Sequence, residues 1–182
     1  NAHDSLGDFG AAIACHTECL AIEQETGDRA GEGGTHGNLG NAHRALGDFR
    51  AAIACHTEHL AIAREVGDRA GEGIAHGNLG LAHASLGDFR AAIACHTEDL
   101  AIAREVGDRA GEGNAHGNLG NAHRALGDFG AAIACHTEHL AIAREVGDRA
   151  GEGKAHGNLG LAHQALGDFR AAIACHTEHL AI

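Results

Sequence analysis

The chain has 182 residues and a formal charge of −12, from 13 Lys and Arg against 25 Asp and Glu. Non-specific nucleic-acid binding rests on Lys and Arg neutralising phosphates, so this balance excludes it as a function class. With 28 Gly and 17 His but no Pro, Met, Trp or Tyr, the chain lacks the large aromatics that dominate core burial in a compact globule; thin, closely packed layers of Ala, Leu, Ile, Gly and His are expected instead.

No apolar run is long enough to span a bilayer, and no signal peptide opens the sequence. The missing initiator Met makes the segment read as an excerpt from a longer array. Five of the six cysteines (Cys15, Cys19, Cys55, Cys95, Cys135 and Cys175) recur every 40 residues, one per repeat. A disulfide framework needs pairs inside a small unit. One thiol per repeat predicts buried cysteines outside any disulfide, in a reduced compartment, which points to the cytoplasm.

The unit AHGNLGxAHxxLGDFxAAIACHTExLAIAREVGDRAGEG recurs almost unchanged with a 40-residue period. The sequence divides into a partial repeat 1–33, repeats 34–73, 74–113 and 114–153, and a partial repeat 154–182. In chain order, Gly-Asp pairs punctuate it every 20 residues, from Gly7-Asp8 through Gly27-Asp28, Gly47-Asp48 and Gly67-Asp68 onward. Glycine suits the left-handed position that ends a helix. Aspartate suits the N-cap of the next, where its carboxylate accepts from orphan amides and faces the positive end of the dipole. A turn is expected at each pair, leaving two helices of roughly 18 residues per period. On one, Phe49, Ile53, His56, Leu60 and Ala63 share a face; on the other, His76, Leu79, Gly80, His83 and Leu86 do so. Gly71, Gly73, Gly77 and Gly80 fall within a single helix, where each interior glycine costs roughly 1 kcal/mol relative to Ala. Such a hairpin needs neighbours to stack on, and Gly40 with Ala52 is expected to let two backbones approach closely.

Leu39-Gly40, His43, Gly47-Asp48-Phe49, Ala52-Ile53 and Leu60 fall where tetratricopeptide repeats place Leu-Gly, Tyr, Gly-Asp-Tyr, Ala-Ile and Leu. The chain therefore resembles that family along its whole length. The usual repeat is about 34 residues; this one is longer, with GDRAGEG where a Pro-containing turn would sit. That variant resembles the Pins/LGN family of spindle-orientation adaptors. The Gα-binding motifs that come after the repeats in that family do not occur in these 182 residues, so no G-protein role is implied. The resemblance implies an all-α, right-handed superhelical solenoid of antiparallel helical hairpins, with a concave groove lined by the first helix of each repeat.

Four sets of positions vary between copies: Gly34, Ile74, Asn114 and Lys154; Asn1, Asn41, Leu81, Asn121 and Leu161; Asp4, Arg44, Ala84, Arg124 and Gln164; and, on the other helix, Cys19, His59, Asp99, His139 and His179. The first three sets lie seven and then three residues apart, hence on one helix face. By the resemblance, that face lines the groove where extended peptides lie, and Asn at the second position grips peptide backbone. The candidate groove residues are thus Asn1, Asp4, Asn41, Arg44, Ile74, Leu81, Asn114, Asn121, Arg124, Lys154, Leu161 and Gln164. Asn-Arg repeats alternate with Leu repeats, an 80-residue duplication that would space polar clamps between apolar patches. Neutral drift at exposed sites is the alternative reading.

Cys55-His56-x-x-His59 recurs at Cys135 and Cys175, and residues four apart could share a metal. Zinc, however, normally takes four ligands in a closed site, and the motif fails where Asp99 or Cys19 replaces the last His. His43 and His56 occupy places where the family carries aromatics, so they are expected to pack as substitutes for them. His36, His43 and His56 should be at least partly buried, whereas His59 should face solvent. No nucleophile–base constellation is unique to one place. GEGxAHGNLG lacks the Gly-Lys-Ser/Thr ending and the preceding strand of a phosphate loop. No enzyme, cofactor, metal or membrane partner is expected. The sequence points to a scaffold that binds an extended peptide of a protein partner; a structural spacer inside a larger assembly, touching neighbours by its edges and ends, is the alternative.

Overall fold

A computed structural model describes residues 2–181, with side chains from Phe9 onward. The described residues form nine α-helices and no strand: α1 (Ala2–Thr26), α2 (Arg29–Ala45), α3 (Phe49–Val66), α4 (Arg69–Ser85), α5 (Phe89–Val106), α6 (Arg109–Ala125), α7 (Phe129–Val146), α8 (Arg149–Ala165) and α9 (Phe169–Ala181). They fall into two compact units, residues 1–88 and 89–182. In the first, α1 packs on α2, α2 on α3 and α3 on α4; in the second, α5 to α9 pack in the same consecutive fashion. This is the helix-pair packing of a tetratricopeptide solenoid.

The Gly-Asp pairs make the turns. Gly67 and Gly147 close α3 and α7 in the left-handed conformation, with φ of 72° and 74°. Asp48 and Asp108 cap α3 and α6, accepting from the amides of Ala51 at 3.1 Å and Gly111 at 2.8 Å. One pair departs from expectation: α1 runs through Gly7-Asp8 without a break. At Gly47-Asp48, Gly127-Asp128 and Gly167-Asp168 a 17-residue helix precedes the turn and packs on the helix after it. Continuing the helix through Gly7 costs α1 the glycine propensity, roughly 1 kcal/mol relative to Ala.

The core consists of small and branched residues around histidine. Ala52, Leu60, Ile62, Ala63, Ala75, Leu79 and Ala82 are buried in the first unit, and their counterparts recur in the second. The expected face on α3 is confirmed at His56, Leu60 and Ala63, while Phe49 and Ile53 are only half-buried. Leu86 is exposed because it caps α4 instead of belonging to it. His36 and His43 are half-buried, as expected.

His56, His96 and His136 are the most enclosed polar side chains among the described residues, at 0%, 1% and 0% exposure. Gly40 faces a side chain. It opens a notch for the His56 ring: a Cβ there would stand 2.4 Å from His56 Cε1, and one at Gly120 would stand 2.5 Å from His136 Cε1. The volume removed from the first helix is thus occupied by imidazole from the second.

Candidate functional site

The first-helix face carries the variable residues outward. Asn41, Ile74, Asn114, Asn121, Lys154, Leu161 and Gln164 are exposed, and Arg44, Leu81 and Arg124 are half-buried. Asn1 lies outside the described residues, and Asp4 lies on α1 ahead of the described side chains. The near-invariant positions of the same helices (Ala75, Leu79, Ala82 and their counterparts, with Thr35 the one exchange) are buried in the core. Variation and exposure therefore coincide along this face.

Arg44 and Arg124 differ from the other arginines of the first helices. Arg29, Arg109 and Arg149 are bound into carboxylate networks, with Arg109 reaching Glu145 at 2.7 Å and Glu112 at 2.5 Å. Among the described residues Arg44 and Arg124 make no ion pair, and the Nε of each is buried without a hydrogen-bond partner. Their charge is not spent on a carboxylate of the described residues, and a guanidinium suits a bidentate acceptor brought by another molecule.

A second layer lies beneath this face. His59, expected in solvent, is half-buried, and its counterpart His139 is only 8% exposed. The reason is a pair of glycines on the facing helix: Gly37 leaves space beside His59 Nδ1, and Gly33 sits against Ile62 with the His59 ring beyond. Burial pulls the pKa of both imidazoles below the ordinary 6.5, partly opposed by Asp68 and Asp148 respectively. Asp99, at the same position of α5, is pushed up to about 6 by burial, with Asp108 adding to the rise. The fourth variable set is therefore not on a separate surface. In the second unit His139 and Asn114 line one cleft of about 250 Å³ between α6 and α7. The sequence gives no sign of this, since the positions belong to different helices and His59, His139 and His179 stay the same while Gly34, Asn114 and Lys154 differ.

The hairpins are also tied by ion pairs the pattern does not reveal. Glu112 and Glu152 are buried, and each receives two arginines: Arg104 at 2.9 Å and Arg109 for the first, Arg144 at 2.8 Å and Arg149 at 2.5 Å for the second. Those arginines hold both carboxyls below the usual range, Arg104 and Arg144 most strongly. Arg104 and Arg144 also reach the Nε2 atoms of His116 and His156, at 3.1 and 3.0 Å. A guanidinium donates, so each Nε2 accepts and each ring is neutral.

The cysteines correct another expectation. Cys15 and Cys19 are exposed and the other four half-buried, and none of the six forms a disulfide. Cys135 packs on the edge of the Leu100, Ala115 and Leu119 cluster, whereas His139 turns to Gly113 and Gly117. Residues four apart on α7 thus serve different neighbours. Among the described residues no three His, Cys, Asp or Glu side chains converge on a point a metal could occupy. No described helix is long and apolar enough to cross a membrane.

The comparisons with known proteins agree with this architecture. The tetratricopeptide repeat family matches over residues 1–65, 32–105, 71–145 and 111–182, and the chain belongs to it. Its proteins generally mediate protein–protein interactions, and no catalytic family is indicated. Among solved structures, BtubC (BKLC) from P. vanneervenii superposes with a TM-score of 0.90 at 24% identity, over 98% of this chain and 74% of that one. A putative kinesin light chain of Podosopora anserina with nearly identical repeats gives 0.81 at 17%, over 99% and 90%. MamA gives 0.74 at 20%, over 98% and 90%. At these identities the likeness concerns the fold. No curated protein sequence matches.

Proposed function

We propose that this chain is a protein-interaction scaffold whose first-helix face, as the concave groove of the array, holds an extended segment of a protein partner. The observation carrying this reading is the coincidence of variation with exposure along the first-helix face, where Arg44 and Arg124 make no ion pair among the described residues. Where the fold needs a residue, the copies agree; where the face is open, they differ. Asn41 and Asn121 are placed for a peptide backbone, and Leu81 and Leu161 for apolar side chains between the polar clamps. The 40-residue period supports kinship with the Pins/LGN type of array, and six cysteines without a disulfide support a reducing, cytoplasmic setting.

The test is capture of partners from the source cell by the intact protein and by its Arg44→Glu/Arg124→Glu variant. The scaffold reading expects loss of captured protein from the variant at an unchanged melting temperature. Unchanged capture, with loss instead on substituting the helix exteriors, would replace it by the spacer reading.

A further inference from the structure

The two helices of a hairpin differ in their own hold on helical structure. α2 carries Gly31, Gly33, Gly34, Gly37 and Gly40 among its 17 residues, whereas α3 carries five alanines and no glycine. α6 and α7 repeat the contrast, with four glycines against one. Glycine is among the poorest helix formers and alanine is the best. A helix of poor propensity takes its stability from what packs on it, so α2 and α6 depend on their neighbours far more than α3 and α7 do.

What packs into their glycine notches is imidazole: His56 over Gly40 and His59 over Gly37, His136 over Gly120 and His139 over Gly117. His56 and His136 are fully enclosed, and neither nitrogen of either ring has a hydrogen-bond partner among the described residues. A neutral imidazole always carries one N–H. Each of these rings thus buries a donor without an acceptor, a cost that an apolar ring in the same notch would not carry. What imidazole adds for that cost is a response to protons.

The surroundings set the direction of the response. The groups acting on His56 are Arg44 of α2 and His59 of α3; those acting on His136 are Arg124 of α6 and His139 of α7. With burial they hold both rings neutral, at about 4, and no carboxylate of α4 or α8 opposes them. On His59, burial and His36 of α2 outweigh Asp68 ahead of α4. On His139, burial, Lys154 of α8 and His116 of α6 outweigh Asp148. An imidazolium at position 56 or 136 finds no acceptor in its notch and reaches water only by leaving it.

We propose that the glycine notches are acid-sensitive latches: on acidification the imidazoles leave them, and the first helices α2 and α6 lose their helical structure while α3 and α7 keep theirs. Asn41 and Arg44 lie on α2, and Asn114, Asn121 and Arg124 on α6, so acid dismantles the candidate groove face. Only that last consequence rests on the groove reading above.

Hydrogen–deuterium exchange of the full chain, read by mass spectrometry on peptides covering 29–45, 49–66, 109–125 and 129–146, tests the latch. An imidazole that titrates at 6.5 when released and at about 4 when latched makes opening about 30-fold more frequent at pH 5 than at pH 7.5. After correction for intrinsic exchange at each pH, protection in 29–45 and 109–125 should fall at least that far, and in 49–66 and 129–146 by less than about threefold. In His56→Phe/His59→Gln the loss should vanish from 29–45 and persist in 109–125. If that variant does not fold, His56→Asn/His59→Gln makes the same comparison. Equal losses in first and second helices are global acid unfolding and overturn the proposal. Undiminished protection at pH 5, or a loss in 29–45 that survives the variant, overturns it too. None of these readouts needs a partner, so the groove reading stands or falls separately, on capture.

Discussion

Lowering the pH from 7.5 to 5 should destabilise the fold steeply, and the amount follows from three side chains. His56, His96 and His136 are essentially without solvent, and burial brings each from the ordinary 6.5 down to about 4. For His56 and His136 the adjacent His59 with Arg44, and His139 with Arg124, push the same way. Because the folded pKa lies below the unfolded one, the unfolded chain binds protons that the folded chain refuses. Stability is therefore intact above pH 6.5, falls as pH drops below that value, and reaches its floor below about 4. At pH 5 each such imidazole costs about 2 kcal/mol, or about 6 kcal/mol for three.

Asp99 opposes this. Its folded pKa of about 6 exceeds the unfolded 3.8, so the folded chain gains a proton first and recovers about 1.4 kcal/mol at pH 5. The net loss is about 4 to 5 kcal/mol, a large fraction of the roughly 5–15 kcal/mol that holds a domain together. For a chain of this size that corresponds to a fall of about 10 to 18 °C in Tm. The depressed carboxyls Glu112 and Glu152 act in a separate window, since their contribution is present above about 4.5 and lost below it. Far-UV circular dichroism melts at pH 7.5, 6.5, 5.5 and 5.0 read the histidine window alone. A Tm at pH 5 within about 3 °C of that at pH 7.5 would mean that the imidazoles titrate freely, and the burial argument would be wrong.

Three further outcomes follow from the packing. Gly120→Ala should destabilise by about 1 to 2 kcal/mol, because crowding His136 exceeds the roughly 1 kcal/mol gained in helix propensity; adding His136→Ala should cost less than the two single changes summed, and a Gly120→Ala variant that melts higher would disprove the notch. Asp108→Ala removes the acceptor for the Gly111 amide and should cost about 1 kcal/mol, seen as a drop of about 2 to 4 °C in Tm; no change would mean that the cap is solvated instead. Glu112→Gln should cost on the order of 1 kcal/mol, since Arg104 and Arg109 are half-exposed and remain hydrated; the loss should shrink in 1 M salt, and a salt-independent loss would point to packing.

How much of the molecule is legible in the sequence depends on whether one helix or two are needed to read it. A turn requires only one residue's conformation and its neighbour's side chain, so Gly67 and Asp68 are legible directly. Gly7-Asp8 carries the same two letters and makes no turn, since α1 runs through it; the pair permits a turn without dictating one. His56 is legible as a substituted aromatic from its position in the repeat. His59 is not, because its burial depends on Gly33 and Gly37 of another helix, which no periodicity on α3 reports. Glu112 and Glu152 are invisible for the same reason: a carboxylate on an amphipathic helix reads as surface until Arg104 and Arg144 arrive from the preceding helix. One thiol per repeat reads as a core position, yet Cys135 and Cys175 fall on the rim of their hydrophobic clusters.

These differences share a cause that also bears on function. The repeat moves side-chain volume from its first helix to its second, leaving glycines at positions 33, 37 and 40 and answering them with His59 and His56. A first helix so depleted has little propensity of its own and is held by the imidazoles packed into it. Its outward positions, by contrast, carry no part of that fit. Asn41, Asn114 or Lys154 can be exchanged without disturbing the glycine–histidine contacts beneath them, so near-identical hairpins tolerate different groove residues. The uniformity of the repeats is therefore no argument against a selective face. The fold fixes the inner layer and leaves the outer one open to selection by whatever lies against it.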